Sequence, residues 1–262
     1  MGAVIVIITT AKTTPCLLKI KPAATWVSNC PSPLMPASKL DSLLAALHLA
    51  SPALPVGGFA YSQGLEQAVE DRWVTSAAQA FTWISDVMLL SLARQELPLW
   101  RGVYQACAIE IHVQQVIELN QQLMALRETS ELKLEAVQMG HSMAKLFKQW
   151  PQGTDLLEQV GDIEWAYSAA HAALSAISGV DEDMALTAYL WSWLENQVLA
   201  AVKTVPLGQI DGQRLLHQLK PVVAEAMTVA KKFSTDDRGS AAIGLAVTSA
   251  RHETQYSRLF RS

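Results

Sequence analysis

The chain has 262 residues, half of them apolar, 17% of them charged, and a net charge of −4. That length supports one large domain or two small ones with a sizeable core, and no Lys/Arg run is dense enough for a nucleic-acid footprint. The charged fraction lies below the roughly 25% typical of soluble domains. With eight tryptophans, it points to apolar surface beyond what one copy buries, and so to a subunit interface.

Residues 1–38 carry Pro15, Pro22, Pro31, Pro33 and Pro36 and show no helical period, which leaves little room for regular structure. They read as a disordered extension or a mis-assigned start, with Met35 as an internal alternative. The apolar run Val4–Ile8 has no basic residue before it and is too short for a signal segment. No apolar stretch reaches the roughly 18 residues that span a bilayer. Cys16, Cys30 and Cys107 form no CxxC pair and no disulfide framework, which fits a reducing compartment. The expectation is a cytoplasmic chain without a membrane segment.

From Asp41 the period becomes helical. Leu43, Leu44, Leu47 and Ala50 form a first stripe, ended by Ser51-Pro52. A second helix is expected over about 76–106, opened by Ser76 and Gln79 at capping-box spacing. A third has Ile109, Val113, Val116, Leu119, Leu123 and Leu126 inward, with glutamines and Glu118 outward. A fourth carries Leu132, Ala136, Met139, Met143, Leu146 and Trp150, closed by Pro151. A fifth opens at Asp155 with Glu158, turns Val160, Ile163, Tyr167, Leu174 and Ile177 inward, and ends at Gly179. Asp181 to Asp183 set acids at the start of the next helix. That helix, to Thr204, is apolar nearly all round and should lie at the centre. Two more are expected near 212–233 and 238–250. No strand pattern is persuasive, so the reading is all-α: a single bundle of many helices over residues 39–262.

Three segments carry more than packing. In Ser51-Pro-Ala-Leu-Pro-Val-Gly-Gly-Phe-Ala-Tyr-Ser-Gln-Gly-Leu-Glu66, Pro52 and Pro55 break the helix and Gly57 permits positive φ. The helix is expected to restart near Tyr61 or Ser62, where free N–H groups could hold an anion; the plain reading is a structural loop, with Gly64 and Glu66 closing it. Ala60-Tyr-Ser-Gln-Gly64 is a relaxed relative of the G-x-S-x-G elbow, without the strand that the elbow requires. The second segment runs from Leu194 to Gln213. Asn196 and Gln197 must find partners if buried, and Lys203 suits a helix C-terminus. No G-x-x-x-x-G-K-[ST] phosphate loop occurs in the chain. The third is Arg251-His-Glu-Thr-Gln-Tyr-Ser-Arg-Leu-Phe-Arg-Ser262, where aromatics alternate with arginines in the manner of interface hot spots. His252-Glu253 lacks the second histidine of H-E-x-x-H. Glu164 and His171 share a helix face in this reading, but seven residues separate them by about 10.5 Å. No stable metal site is expected within one chain, and a transient site shared between chains stays open.

Together these segments resemble the urease accessory protein F family, UreF. The Ser51–Glu66 segment resembles its N-terminal signature, Arg127-Glu128 with Met139-Gly140 its middle motif, and Lys203 with Pro206-Leu-Gly-Gln and Gly212-Gln213 its third. Arg251–Ser262 resembles its ending. The chain carries Glu96 where the family often has Asp before Leu-Pro, keeping the charge; residues 1–38 match nothing in the pattern. The resemblance implies an all-helical homodimer in the cytoplasm, with no cofactor and no catalysis of its own. Such a protein binds UreD/UreH, recruits and regulates the GTPase UreG, and serves nickel delivery to apo-urease. It also implies that Arg251, His252, Glu253, Tyr256, Arg258, Leu259, Phe260 and Arg261 serve partner binding. Lys203, Pro206, Gly208, Gln209 and Gln213 would face the GTPase or line the nickel path. Two alternatives from other classes are a helical adaptor unrelated to nickel and a serine hydrolase using Ser62.

Overall fold

The computed structural model describes residues 38–236 and 242–262. The expectation of a disordered or mis-assigned start therefore lies outside the described residues, except for Ser38, which caps the first helix. The fold is all-α, with no strand among the described residues.

Helix α1, Lys39–Leu49, starts with a reciprocal cap: Asp41 N–H donates to the Ser38 hydroxyl, and the Asp41 carboxylate accepts from Ser38 N–H, both at 3.2 Å. A single 3-10 turn, Gly58–Ala60, interrupts the loop that follows. The chain does not return to a helix at Tyr61 or Ser62. Tyr61 is extended and Gly64 sits at φ 75°, so α2 begins at Leu65 and runs to Glu70. The positive φ needs a residue without a Cβ.

Residues 77–108 form one rod in three registers: α3, Ala77–Asp86, a π segment, Val87–Glu96, and α4, Leu97–Ala108. Leu97 N–H donates to Leu92 O, five residues back. The cause stands next in the chain. Pro98 has no N–H, and its ring would meet the carbonyl four residues earlier; the wider π turn moves that carbonyl aside. Ser76 caps α3 by accepting from Gln79 N–H, while the Gln79 side chain reaches back to Thr75 N–H instead of Ser76 N–H.

Helix α5 spans Val113–Ala125 and α6 spans Ser130–Phe147. Ile109, expected inward, is 93% exposed, because α4 stops at Ala108 and the chain turns before α5. The expected single helix after Pro151 is two. Pro151 opens α7, Pro151–Val160, where a proline costs no hydrogen bond, and Gly161 at φ 77° ends it; α8 is Tyr167–Ile177. Glu164 thus lies on the connector and does not share a helix face with His171. The Asn120 side chain clamps this connector, donating to Glu164 O and accepting from Ala166 N–H, both at 2.8 Å.

Helix α9, Glu182–Thr204, is capped by Asp181, and α10, Gln209–Ala230, carries Pro221 within it. Helix α11 is Ile243–His252; the start of the helix expected near 238–250 lies outside the described residues. As expected, α9 is central: it packs against α1, α2, α8 and α10. The alanines of α8 are buried and let α4 and α6 approach it closely. Trp100, Tyr104, Tyr167, His171 and Tyr189 stack in the interior with centroid separations of 5.1–6.2 Å. Each fully buried large side chain of this kind contributes about 1.5–3 kcal/mol.

Candidate partner-binding site

The last ten residues have no helix, yet they are ordered against the loop before α2. The organiser is Glu66 in the first turn of α2. Its carboxylate accepts the Leu259 N–H at 2.8 Å and the Phe260 N–H at 2.9 Å, and lies 3.4 Å from His252 Nε2. His252 Nδ1 is 2.6 Å from Glu131 on α6, which also pairs with Arg258. Glu253 accepts from Ser130 N–H and hydroxyl and from Glu131 N–H, so a residue from the far end of the chain caps α6. The Ser130 hydroxyl and these backbone bonds hold the Glu253 carboxyl below its usual value.

Beyond Phe260 the strap closes on the loop itself. Arg261 N–H donates to Ala60 O at 2.9 Å, and Ser62 N–H and hydroxyl both donate to Ser262 O, at 2.7 and 2.6 Å. The Ser262 hydroxyl and Gln63 Nε2 donate to the two oxygens of Glu135, at 2.6 and 2.7 Å. Burial raises the Glu135 carboxyl above its ordinary value, and these two hydrogen bonds offset that only in part. The Tyr61 hydroxyl is likewise raised, chiefly by burial, and donates to Gln138; Arg261 stands beside it. Lys203 Nζ lies 5.2 Å from the centre of the Phe260 ring, a cation–π distance.

The segments marked out in the sequence therefore meet, but their side chains divide in two. Phe260 is 6% exposed and His252 is fully buried, so both anchor the strap inside the chain's own core. Tyr256 is fully exposed and Leu259 is 72% exposed, with Arg251, Arg258 and Arg261 also at the surface. Pro52, Gln209 and Gln213 line one cleft of about 140 Å³ between α9 and α10. Gly212 is required there, since a Cβ would sit 2.6 Å from Val202. Lys203, Pro206 and Gly208 are exposed at the α9–α10 turn, and Pro55 is exposed in the loop. Gly57 sits at φ 78°.

Behind the strap is an interior cavity of about 40 Å³. Tyr61, Gln63, Glu96, Arg127 and Glu135 line it, and it shares Ser192 and Asn196 with the α9–α10 cleft. Arg127 pairs with Glu96 at 2.8 Å, and Tyr189 donates to the same carboxylate. Burial alone would lower the Arg127 guanidinium, but Glu96 beside it more than reverses this and holds it above its usual value. Gly58 abuts Asn196, where a Cβ would meet Nδ2 at 2.6 Å. Glu131, Glu135 and Gln63 were not foreseen as site residues. An acid in the first turn of α6 reads as a complement to the helix dipole, and nothing local shows that its partner lies 121 residues away.

The Ser62 hydroxyl is buried and gives its proton to the Ser262 carbonyl, while accepting from Glu66 N–H to cap α2. It has no histidine to take that proton, as a hydrolase nucleophile needs. Among the described residues, no three His, Cys, Asp or Glu side chains are placed to hold a metal ion, and no helix is long and apolar enough to cross a membrane.

Comparison with known proteins shows the family. The UreF family model matches residues 74–220. Urease accessory protein UreF of Azoarcus sp. (strain BH72) is 46% identical over 237 residues, covering 87% of this chain and 98% of that protein. The UreF of Pseudomonas fluorescens (strain SBW25) is 47% identical over 223 residues, covering 83% and 98%. That of Delftia acidovorans is 44% identical over 238 residues, covering 85% and 98%. An all-α chain whose loop, central helix and ending are joined in this way, and whose relatives align over nearly their whole length, belongs to the UreF family of urease accessory proteins.

Proposed function

We propose that this chain acts as a scaffold in nickel loading of apo-urease, gripping UreD/UreH and recruiting and regulating the GTPase UreG. It works in the cytoplasm and performs no chemistry of its own. The observation that carries this reading is the strap: the carboxylates of Glu66, Glu131 and Glu135 fix it, while Tyr256, Leu259, Arg258 and Arg261 stay at the surface. A pre-ordered backbone presenting an exposed aromatic residue, a leucine and arginines is suited to a hot spot, because little ordering cost remains at binding. Lys203, which adjoins the strap through Phe260, and the Pro206–Gln213 segment form the GTPase-facing side; the cleft at Gln209 and Gln213 and the cavity behind it line the nickel path.

The homodimer uses the face of α1 and α9. There Leu40, Leu43, Leu44 and Leu47 are 46–62% exposed beside an apolar groove of about 300 Å³ that reaches Trp191. An exposed apolar stripe of this kind is costly unless covered.

Co-purification tests the scaffold. The chain is expected to retain UreD/UreH and UreG, and Tyr256→Ala with Leu259→Ala to lose them while keeping wild-type helicity. Normal capture by that double variant would sink the strap's role. Normal urease activation at limiting nickel in cells lacking the gene would favour the unrelated-adaptor reading.

A further inference from the structure

A cleft of about 390 Å³ lies between α6 and the α7–α8 connector, outside the strap and the α9–α10 cleft. One wall carries His141 and Lys145 of α6 and Lys148, its C-cap, on a single face at i, i+4 and i+7. The opposite rim is acidic, with Asp162 and Glu164 on the connector. Ala144, Leu157 and Trp165 lie between them. None of these five side chains makes a hydrogen bond or ion pair among the described residues, although all are exposed. Opposite charges that face each other over an apolar floor without pairing leave the chain's own stability little to gain from them.

The cleft is also rigid. Asn120 clamps the connector on both sides of Trp165. Trp165 stands edge-on to Phe147 at 5.5 Å, and α6 touches the connector backbone at Gly140, where a Cβ would meet Trp165 O at 1.9 Å. The connector backbone beside the acidic rim is thus held in place at Glu164 and Ala166.

We infer that this cleft is a second docking surface, and that its occupant is an amphipathic helix of a partner protein. That helix carries an apolar stripe with acidic residues on one flank and basic residues on the other. The basic wall extends over about 10.5 Å, two helical turns, so acidic residues at i, i+4 and i+7 of the incoming helix match it. The acidic rim takes the basic flank, and the two walls together fix the direction in which the helix lies. The choice of candidate partners rests on the scaffold reading.

Binding of purified UreD/UreH, UreG and apo-urease, each alone, decides the matter. The chain is compared with Lys145→Glu/Lys148→Glu, with Asp162→Lys/Glu164→Lys, and with Ala144→Trp, which fills the floor without altering charge. Circular dichroism confirms unchanged helicity. All three variants are expected to weaken binding of one and the same partner by at least about tenfold, with the other partners retained. The proposal is overturned if all three variants bind every partner like the unaltered chain, or if what they lose is association between copies of this chain. If the unaltered chain binds none of the three, the scaffold reading falls and the cleft loses its partner with it; if it binds them and the variants do too, only the cleft proposal falls.

Discussion

Glu66 accepts the backbone N–H of Phe260, 194 positions further along the chain, at 2.9 Å. With the second bond from Leu259 and the neighbouring His252 ring, this one carboxylate holds the strap backbone at Leu259 and Phe260. Glu66→Gln keeps a single acceptor and turns the other oxygen into a donor that opposes an N–H. It should cost about 2 kcal/mol in urea unfolding. Amide exchange at Leu259 and Phe260 should lose its protection; retained protection would show that the strap is held by other means.

Phe260 and Tyr256, four residues apart, should behave in opposite ways. Phe260→Ala empties a buried site and should lower stability by about 3 kcal/mol. Tyr256→Ala touches a fully exposed ring and should stay within about 0.5 kcal/mol of the parent, while weakening partner capture. Equal effects of the two on the unfolding midpoint would contradict the division of the strap into anchors and contacts.

Gly140 and Gly57 offer a second contrast. A Cβ at 140 would lie 1.9 Å from the Trp165 carbonyl oxygen, backbone against backbone. Gly140→Ala should therefore cost about 3 kcal/mol or more by prying α6 from the connector. At Gly57 nothing lies within 4 Å, and only φ 78° resists a side chain. Gly57→Ala should cost about 1 kcal/mol. Thermal unfolding of the two variants side by side checks the order.

His171 sets a pH dependence. Burial lowers its imidazole from 6.5 to about 3. Between those values the unfolded chain takes up a proton that the folded chain refuses. Its contribution is fully present above pH 6.5 and is lost as pH falls below it. Between pH 7.5 and 5.5 the parent should lose about 1.4 kcal/mol more than His171→Phe. Glu135, raised by burial, acts with the opposite sign: it favours the fold below the usual carboxylate value and loses that advantage as pH rises. It is common to both proteins and cancels in the difference. Parallel stability–pH curves would remove His171 from the account.

The helical class and the central place of α9 were legible because apolar residues recur at helical spacing and Asp181 marks the start. Register was not. Pro98 falls inside the single helix expected over about 76–106, and the periodic stripe gives no sign of the π segment by which the rod continues past it. Ile109 fits the periodic stripe of α5, but the turn before His112 takes it out of the helix. The strap was legible as a special segment from its composition, yet its division was not: Phe260 and Leu259 are adjacent and equally apolar, and backbone direction alone decides which one is buried. The acidic residues that hold the strap were invisible, since long-range hydrogen bonds leave no local pattern.

The strap also imposes an order in time. While the chain is being synthesised, Glu66 and the Gly57–Gly64 loop emerge long before the residues that satisfy them. At about 5–20 residues per second, 194 further positions take roughly 10–40 s. Once α10 has been made, the nascent chain still carries an unmatched carboxylate and an open site for Phe260 at the surface of a largely assembled bundle. A newborn molecule is thus distinguishable from a folded one by a single exposed groove, which closes only when residues 259–262 arrive.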